Sequence, residues 1–338
     1  MGYLVSRLLR ILRGWFLKRR SMSEFDLIRR YFTRATPGAV LGVGDDAALL
    51  RIRNGMELAV STDMLVSGTH FLPDADPFLL GHKTLAVNLS DMVAMGAQPR
   101  WATLALSLPQ ADEAWLQKFS AGFFALAEQH GIELIGCDTT RGPLNLCVTI
   151  MGEVPQGKAL RRDGAQVGDD IWVSGTLGDA ALALAQLQGK IQLSANDFSV
   201  CAAALHQPEP CVALGLALRG VAHSAIDISD GLLADLGHVL ECSNAGAEIQ
   251  FDALPVSPAL RSHLAQPLGR HCALAGGDDY ELCFTASAVR RAEVEKISMK
   301  LDLPLTRIGV IVAGSGCTVR AVDGGIVNMD EFGYDHFA

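Results

Sequence analysis

The sequence predicts an α/β protein of two domains, over residues 23–155 and 156–338. The chain has 338 residues, 49% hydrophobic and 19% charged, which is typical of a folded protein large enough for two cores. Short apolar runs with strand character alternate with segments of helical periodicity along most of its length. A loop rich in charge and glycine, QGKALRRDGAQVGDD, separates the two series and marks the predicted boundary.

The first 22 residues form a separate basic segment. Its apolar residues recur at helical spacing with arginines opposite, as in an amphipathic helix. Because arginines interrupt every apolar run, the segment does not resemble a transmembrane span or a signal peptide. Three interpretations remain open: a true start at Met22 that makes this leader an annotation artefact, a membrane-surface anchor, or a loosely ordered tail.

Within the first domain, apolar spacing after a proline predicts a helix over 77–97. On it Lys83, Val87 and Asp91 share a face, and Asn88 lies one turn from Asp91, so Asn88 and Asp91 are expected to bind one ligand. The remaining expected helices cover 24–32 and 112–131. A strand and turn are expected over 39–50, and strands over 58–65, 100–109, 132–136 and 144–154. The functional residues 61–63 are expected at the end of the strand over 58–65.

The second domain repeats this alternation. Its expected strands cover 171–175, 224–228, 247–251, 281–286, 306–312 and 317–323. Its expected helices cover 179–188, 209–220, 231–244, 257–266 and 287–300.

Charge and cysteine usage restrict the function. The net charge is −9 although the leader is basic, so the body of the chain is strongly acidic and predicts no nucleic-acid partner. The eight cysteines are scattered, without a C-x-x-C pair or a secretory signal, and are expected to be reduced thiols of a cytoplasmic protein.

Carboxylates recur beside glycine, serine and threonine at the ends of apolar runs. If these turns converge, their repulsion requires cations, and Mg²⁺ prefers carboxylate oxygens together with substrate phosphates. Hydroxyls beside them, as in Ser61 and Thr62, also suit a magnesium shell. The pattern therefore predicts a magnesium site for nucleotide phosphates, formed by acids drawn from Asp45, Asp46, Asp63, Asp91, Asp138, Asp227 and Asp230.

Each motif also has a simpler interpretation. Residues 42–47 match a dinucleotide fingerprint, but two aspartates would then face phosphate without a cation. The P-loop and protein-kinase signatures are absent from the sequence. Arg162 is expected either to bind phosphate or to pair with Asp163 or Asp169, and the acidic turns taken singly fit helix caps.

Taken in order, eight motifs carry a family resemblance: GDDAA, STDM, KTLAVNLSDMVAMGAQP, GCDTT, RRDGAQVGDDIWVSGTLGDAA, IDISDGL, GGDDYELCF and GYDHF. Over residues 23–337 the chain resembles thiamine-monophosphate kinases, of the aminoimidazole-ribonucleotide-synthetase-like ATP-binding superfamily. The resemblance implies that two-domain fold, a homodimer in which the strands of the N-terminal domain pair across subunits, and ATP between the domains. The implied reaction is ATP-dependent phosphorylation of thiamine monophosphate to thiamine diphosphate, with several Mg²⁺ ions and no protein nucleophile.

The resemblance also implies site residues. The magnesium ligands fall on Asp46, Ser61, Thr62, Asp63, Asp91, Asp138, Asp227 and Asp230. The ATP contacts fall on Cys137, Asp138, Arg162 and Ser229. The substrate contacts fall on His70, Asp278 and Tyr334. Three of these depart from the family pattern: Cys137 replaces glycine, Asp278 replaces glutamate, and Tyr334 replaces a common tryptophan.

Two alternative functions remain. One is another ATP-using member of the superfamily, a cyclising synthetase or a maturation factor. The other is a non-catalytic nucleotide sensor held at a membrane by the basic leader. ATP consumption that depends on thiamine monophosphate separates the kinase from both.

Overall fold

Two β-sheets organise the chain, one for each predicted series of elements. The computed structural model describes residues 23–329 and 333–334, so the amphipathic leader lies outside the described residues. The first sheet has four strands and the second has six. No helix within the described part of the chain is long and apolar enough to cross a membrane.

The first sheet has the strand order β1-β4-β2-β3. β1 and β2 each pair antiparallel with β4, and β2 pairs parallel with β3. The strands are β1 (Met56–Val66), β2 (Gln98–Leu108), β3 (Glu133–Arg141) and β4 (Asn145–Pro155).

Two long helices, α2 (Pro77–Ala94) and α3 (Glu113–His130), pack against the first sheet. Each is capped by an aspartate, Asp76 or Asp112, whose carboxylate accepts from backbone amides of the first turn. The short helix α1 (Glu24–Leu27) precedes them and continues as a π-helix over Ile28–Phe32.

The second sheet has the order β10-β7-β9-β5-β8-β6. Its strands are β5 (Asp169–Ser174), β6 (Ser224–Ile228), β7 (Gly246–Gln250), β8 (Glu281–Ser287), β9 (Leu305–Val312) and β10 (Gly316–Arg320). The accompanying helices are α4 (Asp179–Leu187), α5 (Ala195–His206), α6 (Val212–Leu218), α7 (Leu232–Ser243), α8 (Pro258–Arg261), α9 (Pro267–Ala275) and α10 (Arg291–Leu301).

Several sequence predictions were wrong in detail. Residues 39–50 form only isolated bridges, because glycines and adjacent acids leave no alternating apolar face. Helix α5 was not predicted, although Ser194 caps it by accepting from Asp197 N. The helix expected over 257–266 is instead α8 followed by α9, since Pro267 starts a new helix rather than extending the old one.

β1 and β3 also extend further than predicted. The acids and hydroxyls at 61–63 and 138–140 were expected at the ends of strands, yet they lie within β1 and β3. Successive residues of a strand face opposite sides of the sheet, so neighbours in these motifs are separated onto two faces. This alternation decides which of the predicted ligands meet.

The crossing of α2 and α3 depends on two glycines. A Cβ at Gly81 would lie 2.0 Å from Phe119 O, and one at Gly122 would lie 1.9 Å from Phe78 O. Only hydrogen fits at these positions, so the two backbones touch directly.

We expect Gly81→Ala to destabilise the fold by about 1–3 kcal/mol, as over-packing of a close contact does. Gly237→Ala is the matched control, because a Cβ there meets nothing within 4 Å in helix α7. Urea denaturation of both variants and wild type measures the difference. Equal midpoints for the two variants would show that α2 separates from α3 at no cost.

Candidate active site

Two clefts adjoin one another between the sheets. The first has a volume of about 530 Å³ and the second about 460 Å³. Asp91, on α2, lines both of them. We call them the acceptor cleft, which contains Asp63, Asp227 and Asp278, and the arginine cleft, which contains Arg161 and Arg162.

Acids from three elements converge at the acceptor cleft. Burial first, and then the charges of Asp91 and Asp230, raise the pKa of Asp63 to about 6. Burial and the charge of Asp91 likewise raise the pKa of Asp227 to about 7. The charge of Asp91 thus disfavours ionisation of both Asp63 and Asp227, as expected of converging acidic turns.

Asp91 has one hydrogen-bond partner on β1 and a charged neighbour in the loop before β5. The hydroxyl of Ser61 donates to Asp91 Oδ2 at 2.5 Å. Burial raises the pKa of Asp91, while the Ser61 hydrogen bond and the charge of Arg162 act in the opposite direction. A partly buried carboxylate with only these partners retains acceptor capacity for a cation.

Asn88 does not share a ligand with Asp91, contrary to the prediction. Its Oδ1 accepts from Asp63 N at 3.2 Å, and its Nδ2 donates to Thr84 O at 3.0 Å. The side chain is 1% exposed. Asn88 therefore joins α2 to β1 and fixes the backbone of Asp63.

The loop after β6 is organised by Asp235, which sequence analysis missed. Asp235 Oδ2 accepts from three consecutive amides, those of Ser229, Asp230 and Gly231, at 2.9, 3.0 and 3.1 Å. These amides directly precede α7, and Asp235 occupies them, so these three donors do not bind an anionic ligand. They are already satisfied, and their role is to hold the loop that carries Asp230 and Ser229 into the acceptor cleft.

The predicted substrate residues meet in the acceptor cleft. His70, Asp278 and Tyr334 all line it. Val66 N donates to His70 Nδ1 at 3.0 Å, which places the imidazole proton on Nε2. Tyr334 N donates to Asp230 O at 3.1 Å, and its ring remains 53% exposed. The cleft wall between α4 and α9 is apolar, with Ala181, Leu184 and Leu268.

The loop 276–280 places one of its paired acids in the cleft and buries the other. Asp278 and Tyr280 have φ of 71° and 50°, the left-handed region that non-glycine residues seldom occupy. Asp278 lines the cleft, whereas both oxygens of Asp279 accept from Gly178 N at 2.9 Å. Burial raises the pKa of Asp279 well above its usual value. Only Asp278 is available to a ligand.

Arg162 is placed for an anionic ligand in the arginine cleft. The alternative pairings considered from sequence are occupied: Asp163 makes a bidentate pair with Arg161, at 2.9 and 2.6 Å, and Asp169 accepts from His223. No ion pair of Arg162 occurs among the described residues. An exposed guanidinium beside Asp91 suits a phosphate group.

Four predicted ligands lie outside both clefts: Asp46, Thr62, Cys137 and Asp138. Asp46 is on the exposed loop before β1, where its amide donates to Asp45. Thr62 shares a hydrogen bond with Thr149 on the sheet face opposite Asp63. Burial raises the pKa of the Cys137 thiol, so it is not a reactive thiolate.

The donor set fits Mg²⁺ in its chemistry. Within residues 23–329 and 333–334, no three His, Cys, Asp or Glu side chains form a ready-made metal cage. The acids of the acceptor cleft nevertheless offer only oxygen donors, and their mutual repulsion disfavours charge unless a cation is near. Mg²⁺ sites that use few carboxylates together with substrate phosphates have this character.

Comparison with known proteins shows which family the chain resembles. Family models of AIR synthase related proteins match residues 44–154 (N-terminal domain) and 166–322 (C-terminal domain). Thiamine-monophosphate kinase of Escherichia coli strain K12 is 49% identical over 93% of this chain and 98% of its own length. The crystal structure of thiamine-monophosphate kinase from Stenotrophomonas maltophilia K279a has a TM-score of 0.82 at 55% identity, covering 91% and 98% of the two chains. AaThiL complexed with AMPPCP and TMP has a TM-score of 0.73 at 29% identity, covering 92% and 96%.

The raised pKa values predict how stability depends on pH without divalent ions. The pKa values of Asp63 and Asp227 rise from 3.8 in the reference state to about 6 and about 7 in the folded state. As pH rises, the folded state therefore keeps these protons to a higher pH than the unfolded state does. In chelator, their contribution to the free energy of unfolding is therefore lost as pH rises from about 4 to about 7.

Asp227→Asn is expected to reduce the fall in the free energy of unfolding between pH 4.5 and pH 7.5, measured by urea denaturation at both values. Asp74→Asn, at an exposed position away from both clefts, is the control and keeps the wild-type slope. An unchanged slope in Asp227→Asn would contradict the convergence of acids described above.

Proposed function

This chain belongs to the thiamine-monophosphate kinase family of AIR synthase related proteins, and we propose that it transfers the γ-phosphoryl group of ATP to thiamine monophosphate. The products are thiamine diphosphate and ADP. The observation that carries the proposal is the position of Asp91, which lines the cleft of the substrate residues and the cleft of Arg162 alike.

The two clefts suit the two phosphate-bearing reactants. Thiamine monophosphate would occupy the acceptor cleft, with its heterocycles near the apolar wall and the Tyr334 ring, and its cationic thiazolium near Asp278. ATP would extend from the arginine cleft, with Arg162 and Ser229 near its phosphates. The reacting phosphates would then meet at Asp91.

The reaction needs alignment and charge neutralisation more than acid–base chemistry. An oxygen of the substrate phosphate, already an anion, attacks the γ-phosphorus, a new P–O bond forms, and the bond to the leaving ADP oxygen breaks. No protein nucleophile is required. The task of the chain is to hold two polyanions in line and exclude competing water.

Magnesium is part of this proposal. Bound Mg²⁺ would offset the negative charge of the triphosphate and of the transferring group. Ser61, Asp63, Asp91, Asp227 and Asp230 lie at the clefts and are the ligands that we propose within one subunit.

We also propose a homodimer through the outer face of the first sheet. Leu58, Val60 and Met64 are exposed there by 42%, 55% and 52%, an apolar surface that an isolated domain would not leave to water. The register aligns Met64, Cys147, Ala105 and Asp138 across the four strands, so Asp138 lies on this face, and Thr62 does too. Of the remaining predicted contacts, Thr62 and Asp138 would then act near a second subunit. Cys137 is aligned with Asp63 and faces the opposite side of the sheet.

The reaction is tested by coupled ADP release from purified protein. We expect release with thiamine monophosphate and none with thiamine or aminoimidazole precursors. Asp91→Asn should lose about 10²-fold or more in turnover, as removal of a preorganised charged group does. Asp302→Asn is the control, since Asp302 ends α10 away from both clefts in a left-handed conformation that asparagine tolerates. Near-normal turnover in Asp91→Asn would reject the proposed role of Asp91.

The dimer is tested by Leu58→Glu, which places a charge on the apolar face. We expect light scattering after gel filtration to show a dimer for wild type and a monomer for Leu58→Glu. Val289→Glu, at a position 87% exposed outside the sheet, should leave the dimer intact. A dimer in both variants would place the subunit contact elsewhere.

A further inference from the structure

Helix α2 carries a buried lysine that the proposed reaction does not use. The side chain of Lys83 is 5% exposed, and its Nζ lies 2.9 Å from Oδ1 of Asp278. Lys83 does not line the acceptor cleft, whereas Asp278 does and is 27% exposed. A buried ammonium group is costly unless it is paired, so this contact fixes the Asp278 carboxylate from behind.

Asp278 is restrained from several sides. The hydroxyl of Tyr280 donates to the same Oδ1 at 3.1 Å. The backbone of the loop is tied to the end of β6, with Asp278 N donating to Ser229 O and Tyr280 N donating to Ile228 O, both at 2.8 Å. These bonds hold Asp278 and Tyr280 in their left-handed conformations.

The two side-chain contacts leave one carboxylate oxygen for a ligand. Lys83 and Tyr280 both contact Oδ1. Within the described residues, Oδ2 makes no hydrogen bond. The carboxylate is therefore oriented, with one oxygen committed to the protein and the other at the cleft.

We propose that Lys83 is a positioning residue for the acceptor substrate. It acts through Asp278, whose orientation sets the contact with the cationic ring of thiamine monophosphate. The inference rests on the proposed function, because it requires that substrate in the acceptor cleft. Lys83 does not contact the phosphates, since its buried ammonium group lies outside both clefts.

The same helix links this contact to the reacting groups. Lys83 and Asp91 are both on α2, separated by roughly 12 Å along its axis at the helical rise per residue. The helix lies between Asp278 of the C-terminal domain and Ser61 of β1. One helix thus carries both Lys83, which supports the Asp278 carboxylate, and Asp91, which lines the two clefts.

The test compares Lys83→Met, Asp278→Asn and the double variant by steady-state kinetics with both substrates varied. We expect Lys83→Met to raise the KM for thiamine monophosphate by about tenfold, in line with loss of a charge-assisted hydrogen bond, and to leave the KM for ATP within about twofold. The double variant should match Asp278→Asn alone, because Lys83 has no role once Asp278 is neutral. Lys118→Met, on the exposed surface of α3, is the control and should match wild type.

The double variant removes both charges of the pair and leaves neither one unpaired. It therefore provides a second comparison if Lys83→Met folds poorly. Lys83→Arg, which retains the charge, should recover part of the affinity for thiamine monophosphate. Additive effects of the two substitutions, or equal increases in both KM values, would overturn the proposal. A wild-type chain that releases no ADP with thiamine monophosphate would instead reject the proposed function, and this inference with it.

Discussion

The mutual repulsion of buried carboxylates around Asp91 is the constraint on which the site depends. Asp63 on β1, Asp91 on α2 and Asp227 on β6 are near enough for each to disfavour the charge of another. A fold does not retain such an arrangement for stability, because isolated buried charges are unfavourable. Bound cations and substrate phosphates would make it favourable under the proposed function, which would explain how so acidic a chain binds a nucleotide.

Neutral hydrogen bonds orient these acids, and among the described residues no lysine or arginine forms an ion pair with Asp63, Asp91 or Asp227, although the charge of Arg162 acts on Asp91. Ser61 donates to Asp91, and Asn88 fixes the backbone of Asp63. A lysine or arginine paired with these acids would compete with the proposed Mg²⁺ for the same oxygens. Lysine pairing is instead found at Asp278, in the same cleft, where the carboxylate would contact a cationic ring rather than a metal under the proposed function.

Sequence analysis predicted the two-domain α/β fold and most elements, because alternating apolar patterns and prolines mark them locally. It also identified Asp63, Asp91, Asp227, His70, Asp278 and Arg162, which the structure brings to the two clefts. It did not predict that neighbours such as Thr62 and Asp63 face opposite sides, since the full length of β1 depends on pairing with β4. The roles of Lys83 and Asp235 were also missed, because each depends on a partner loop brought close only by tertiary packing.

The Asp235 carboxylate has a consequence for ligand recognition. Because it already satisfies the amides of Ser229, Asp230 and Gly231, the loop after β6 is ordered when the chain folds rather than when a ligand arrives. The conformational entropy of this loop is then lost during folding, and it does not weaken the later association with nucleotide. The site is preorganised by an acid that need never touch either reactant.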